Sequence, residues 1–173
     1  MFKKFSILIS AIILSACSSF TSYTSYVPFI GDSKPVINLD EEQIDQKSYA
    51  VAYASTVQSY RGQVKEDYDV NSFASGVNDW YLGRILVPLE QIKDKLSKGI
   101  DSSVHAYYSG VVFASDLQNN FSRLSNTCWS HIDRPSMTQG IYDAMLDIRK
   151  DKIRSDEDEY IVKGSETLLS LCK

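Results

Sequence analysis

Residues 101–124 read DSSVHAYYSGVVFASDLQNNFSRL, and their spacing decides the fold class. Val104, Tyr107, Tyr108, Val111, Val112, Ala114, Leu117, Phe121 and Leu124 recur at intervals of three and four, which lays one apolar stripe along a helix. Asp101 stands where an N-cap belongs. Working back, Pro88 opens a shorter helix with Leu89, Ile92 and Leu96 that stops at Gly99. Asp69 caps a helix over 70–82 whose stripe is Phe73, Gly76, Val77, Trp80 and Tyr81, with Gly83 as the stop. Asp40 with Gln43 three residues on has capping-box spacing and opens a helix that carries Ile44, Tyr49, Ala52, Tyr53, Val57 and Tyr60 as far as Gly62. Working forward, Pro135 followed by Ser136-x-x-Gln139 predicts another capped helix with Ile141, Met145 and Ile148. Ser155 before four acids opens the last, with Ile161, Leu168, Leu169 and Cys172 facing inward. No stretch alternates like a strand. The expected fold is all-α, a compact bundle of about six helices, and short loops imply antiparallel neighbours.

Phe73-Ala74-Ser75-Gly76-Val77 echoes Tyr107-Tyr108-Ser109-Gly110-Val111 at an offset of 34, but two short copies do not make a repeat architecture. The chain has 173 residues, 43% hydrophobic and 23% charged, enough for one folded domain. With a formal charge of −4 and no basic cluster larger than a pair, the chain has no nucleic-acid footprint. Two histidines and three cysteines leave little for a metal site. No metal and no cofactor are expected.

The first 18 residues carry the most specific motif. Lys3 and Lys4 precede the apolar run FSILISAIILSA at 5–16, which is too short to span a bilayer. It ends in Leu14-Ser15-Ala16-Cys17, which resembles the lipobox of bacterial lipoproteins. The resemblance implies that residues 1–16 are a removed signal peptide and that Cys17 is lipidated. Three acyl chains exceed the two signals needed for stable anchoring. Ser18, where an Asp would signal inner-membrane retention, implies the outer membrane. Removal of Lys3 and Lys4 with the signal takes the formal charge from −4 to −6, so lipid and not charge binds the membrane. Residues 17–39, rich in Ser, Thr and Tyr with Pro28, Gly31 and Pro35, read as lipid anchor and flexible tether. Residues 40–173 read as the helical domain.

With Cys17 taken by lipid, Cys128 and Cys172 are left in an oxidising compartment, and a disulfide is expected. The alternative is two buried free thiols.

Two further resemblances are partial. Residues 47–98, through Ser48-Tyr49-Ala50-Val51, Asp69-Val70-Asn71, Gly76-Val77-Asn78-Asp79 and Leu89-Glu90-Gln91-Ile92, resemble the helical N-terminal domain of periplasmic FKBP-type prolyl isomerases. That segment implies dimerisation or chaperone-like contacts. The isomerase domain that should follow is missing, so isomerase activity is not expected. Residues 107–172, through Tyr107–Val111, Cys128, Pro135, Gln139 and Leu168–Cys172, resemble Rap/Tai-type periplasmic immunity proteins. These are helical, disulfide-bonded inhibitors of cell-wall amidase effectors.

Candidate chemistry is sparse. His105 lies on a helix beside the core stripe and reads as a surface histidine. His131 lies with Trp129 and Arg134 in the loop between Cys128 and Pro135. Trp and Arg are the usual anchors of protein interfaces, so Trp129, His131, Arg134 and the distant Trp80 form the candidate interface. The competing reading is that both tryptophans only cover the core. The run Asp156–Glu159 lacks calcium-loop spacing and reads as acids favoured at a helix start. No catalytic set stands out. The expectation is a non-enzymatic lipoprotein on the periplasmic face of the outer membrane, acting in protein binding or envelope assembly. Its partners would be the membrane through Cys17, another envelope protein, or a second copy. The alternatives are a type VI secretion immunity protein and an envelope hydrolase using His131.

Overall fold

The computed structural model describes residues 36–173. The expectations for the signal peptide, for Cys17 and for most of the tether lie outside the described residues. Within them the chain forms six α-helices and two short 3-10 turns, with no strand. The helices are α1 (Gln46–Tyr60), α2 (Val70–Tyr81), α3 (Leu89–Lys98), α4 (Ser102–Leu124), α5 (Arg134–Arg149) and α6 (Glu159–Leu171). The 3-10 turns span Glu41–Gln43 and Cys128–His131. The all-α bundle expected from the spacing is the fold. Its body begins slightly early, because Val36 and Ile37 already pack on the core.

Five of the six helices start in one way. The side chains of Asp45, Asp69, Asp101, Asp133 and Asp158 each accept a backbone N–H from the first turn. Such a cap is worth about 1 kcal/mol. Three of these starts differ from the sequence reading. Asp40 and Gln43 do pair, through the Asp40 N–H and Gln43 Oε1 at 3.1 Å, but they close only a 3-10 turn, and α1 restarts at Asp45. The Ser136-x-x-Gln139 box does not form. Ser136 lies in the first turn capped by Asp133, and Gln139 Oε1 accepts from the Leu39 N–H at 3.1 Å. Ser155 accepts from Glu157, while Asp158 caps α6.

The expectation of antiparallel sequence neighbours is corrected. The main partners are non-consecutive: α2 with α4, α1 with α5, and α1 with α6. Tyr49 Oη donates to Asp143 and Tyr53 Oη to Asp147, one turn further along both helices, so α1 and α5 run together. Their N-termini also satisfy each other. Ser136 Oγ accepts the Asp45 N–H and Ser48 Oγ accepts the Asp133 N–H, both at 2.8 Å.

The close crossing of α2 and α4 explains the echoed pentapeptides. A Cβ on Gly76 would fall on the Tyr107 carbonyl oxygen, and one on Gly110 would fall on that of Phe73. Each glycine therefore admits the other helix's backbone, as small residues do at close crossings. Phe73 and Val77 on α2, Val111 on α4, and Met137, Ile141 and Met145 on α5 are fully enclosed. Burial of one such side chain contributes about 1.5–3 kcal/mol. Two expected stripe residues are outside. Leu124 is 53% exposed and Leu169 48%, because both sit in the last turns of helices that end at the surface.

Candidate functional site

Trp80 ends α2, Trp129 lies in the 3-10 turn, and Arg134 opens α5. The fold brings all three to one end of the bundle, where they line a cleft of about 220 Å³ with Tyr81, Leu82, Gly83 and Gln118. Each wall has a reason to be there. Gly83, at φ 68°, turns the chain away after α2. The Trp80 indole N–H donates to Gln118 Oε1 at 2.9 Å, which fixes the ring against α4. The Tyr81 and Trp129 rings lie 5.6 Å apart at a tilt of 46°. Arg134 Nη1 donates to the Tyr81 carbonyl at 3.3 Å, at the C-terminus of α2 where carbonyls lack helical partners. Burial pushes the Tyr81 phenol far above its ordinary pKa, so it stays neutral and donates to Met137 Sδ at 3.1 Å.

The turn that carries Trp129 is covalently fixed. Cys128 and Cys172 form a disulfide with Cα atoms 4.6 Å apart, which ties the turn to the end of α6. Both cysteines are buried, and they form the expected bridge rather than the alternative of two free thiols.

His131 ends the same turn but does not line the cleft, and its ring makes no hydrogen bond or ion pair among the described residues. His105 is exposed on α4, 3.4 Å from Ser109 Oγ, with no acid oriented on it. Among the described residues no three potential ligands gather into a metal site. The acids after Ser155 have other tasks. Asp158 caps α6, and Asp156 pairs with Arg61 at 3.3 Å.

The cleft offers aromatic walls and an arginine that no carboxylate ion-pairs among the described residues. Its volume is below the 300–1,000 Å³ usual for small-molecule sites and suits one or two side chains of a partner. Sequence reasoning missed Gln118, Tyr81 as a wall, and a polar layer of Tyr49, Tyr53, Asp143, Asp147 and Arg154. Paired i,i+4 spacing of the tyrosines and of the aspartates was the visible signal for that layer.

A family profile described as uncharacterised lipoprotein matches residues 42–173. The chain belongs to that lipoprotein family. An uncharacterised protein of Haemophilus influenzae is 58% identical over 173 residues, covering 99% of this chain and 97% of the relative. No solved structure matches the chain. Membership gives the lipoprotein a membrane-anchored place in the cell envelope, held by lipid. Among the described residues no helix is long and apolar enough to cross a membrane.

Proposed function

We propose that this lipoprotein is held by lipid on Cys17 at the periplasmic face of the outer membrane and binds another envelope protein without catalysis. The observation that carries the reading is the convergence of Trp80, Trp129 and Arg134 on one cleft of side-chain size. Tryptophan and arginine dominate protein interfaces because they combine large area with directed hydrogen bonds. The disulfide and the reciprocal caps hold the cleft on rigid elements, so a partner orders little on binding. Ser18 supports the outer-membrane assignment.

The test is affinity capture from an envelope extract with wild type and Trp129→Ala, Arg134→Ala and His131→Ala side by side. Loss of a buried anchor costs about 2 kcal/mol, roughly a 30-fold weaker complex. The same partner should vanish with Trp129→Ala and Arg134→Ala. If all three variants retain it, the cleft is not the interface. If His131→Ala alone abolishes an envelope hydrolase activity while partners stay bound, the enzyme alternative replaces this one. Separately, Cys17→Ala should release the chain from the membrane fraction or leave it unprocessed, and unchanged fractionation would refute lipidation at Cys17.

A narrower version is an immunity protein whose 128–135 segment plugs an amidase effector. The resemblance of residues 107–172 and the disulfide within that stretch support it. Cells lacking the protein should then lyse only when a neighbouring cell delivers the effector.

A further inference from the structure

We propose that the cleft between α1 and the loop leading into α6 is a second binding site, for a small ligand carrying a carboxylate beside a short apolar group. The site is independent of the tryptophan cleft. It encloses about 400 Å³, within the size range of small-molecule sites. Tyr53, Val57 and Ile161 give it an apolar wall, and Arg61 and Arg154 both line it.

Arg154 is held ready. Its guanidinium lies 5.3 Å from the Tyr53 ring centroid and 5.6 Å from that of Tyr49. Its Nη2 donates to Tyr49 Oη at 3.3 Å, and its backbone N–H donates to Tyr53 Oη at 3.0 Å. The two phenols donate in turn to Asp143 at 2.9 Å and Asp147 at 2.8 Å. Gln139 Nε2 takes the other oxygen of Asp143 at 2.9 Å. The neighbouring carboxylates thus serve the tyrosines, and among the described residues none is ion-paired with Arg154. A guanidinium has five N–H donors in a rigid fork that matches a carboxylate. Opposite it, Arg61 has only an ion pair with Asp156, in which both side chains are largely exposed, so a ligand can displace it at little cost.

Asp147 and Asp158 still act electrostatically on Arg154, so a bare anion gains little there. An apolar group against Val57 and Ile161 must supply the rest. This favours a planar, bidentate carboxylate on a short apolar body over inorganic phosphate.

The experiment uses the mature lipidated chain in detergent, followed by amide chemical shifts during titration. The probes are N-acetyl-leucine, its neutral amide N-acetyl-leucinamide, and inorganic phosphate. The acid should saturate with a Kd of about 1 mM and shift Val57, Arg154 and Ile161. The amide and phosphate should bind at least about tenfold more weakly, the size of one lost directed interaction. Ala54→Trp, at an exposed position lining the cleft, should fill it and abolish binding with both arginines retained. Arg154→Lys should weaken the acid about tenfold with Tm unchanged, because charge remains and the fork is lost. If Arg154→Lys unfolds the chain, Ala54→Trp and Arg61→Gln decide. Equal shifts with acid and amide, no saturation, or full binding in Ala54→Trp would overturn the site, whatever the outcome at Trp129 and Arg134.

Discussion

Replacing Gly76 or Gly110 with Ala would set a methyl group on the carbonyl oxygen of Tyr107 or Phe73. Those oxygens belong to helix backbones and cannot rotate aside, so α2 and α4 must separate and loosen the packing of Phe73 and Val111. Each variant should lose about 3 kcal/mol, the upper part of the range for overpacked cores, read as a lower urea midpoint. An unchanged midpoint would contradict the reciprocal crossing. The pentapeptide echo was visible in the sequence, but its meaning was not. A helical glycine reads equally well as a weak point or as a contact until the atom facing it is known, and that atom lies on another helix. Trp80 and Trp129 show the same limit. Each is half-buried against the core and also lines the cleft, so the choice between core cover and anchor was not one that residue type could make.

Helix existence was legible because 3.6-residue periodicity is a property of the chain itself. Helix starts were less so. Asp40 and Asp45, Ser136 and Asp133, and Ser155 and Asp158 are all competent caps, and local chemistry does not rank them. The choice falls to tertiary bonds such as those that Ser48 and Ser136 exchange between α1 and α5. The short helix α3 differs from the others. Only Ile92 of its expected stripe is fully enclosed, while Leu89 and Leu96 are partly covered. Ile92→Ala should therefore remove the main attachment of α3, at a cost of about 2–5 kcal/mol for a large-to-small change in a core. Hydrogen exchange should accelerate over residues 89–98 first, with α1 and α5 still protected. A uniform loss of protection would show that α3 is integral to the main core.

Across the molecule, the bond between Cys128 and Cys172 spans 44 positions and joins the turn after α4 to the end of α6. The chain-entropy relation assigns a loop of that length about 4 kcal/mol. That is a large part of the roughly 5–15 kcal/mol by which a domain is stable. The Cys128→Ala, Cys172→Ala double variant should unfold at a markedly lower urea concentration. If its midpoint equals wild type, the bridge constrains nothing in the unfolded chain. By itself the sequence determined the helical class and the six helices found among the described residues, because helical periodicity depends on spacing along one chain. With Cys17 assigned to lipid, as proposed, it also left Cys128 and Cys172 as each other's remaining partners. Only the tertiary structure decided that non-consecutive helices form the core, and that Trp80, Trp129 and Arg134 line one cleft. It alone set Arg154 over two tyrosine rings. Those results depend on which backbone can approach which, and that is fixed by glycines and caps meeting across helices far apart in the chain.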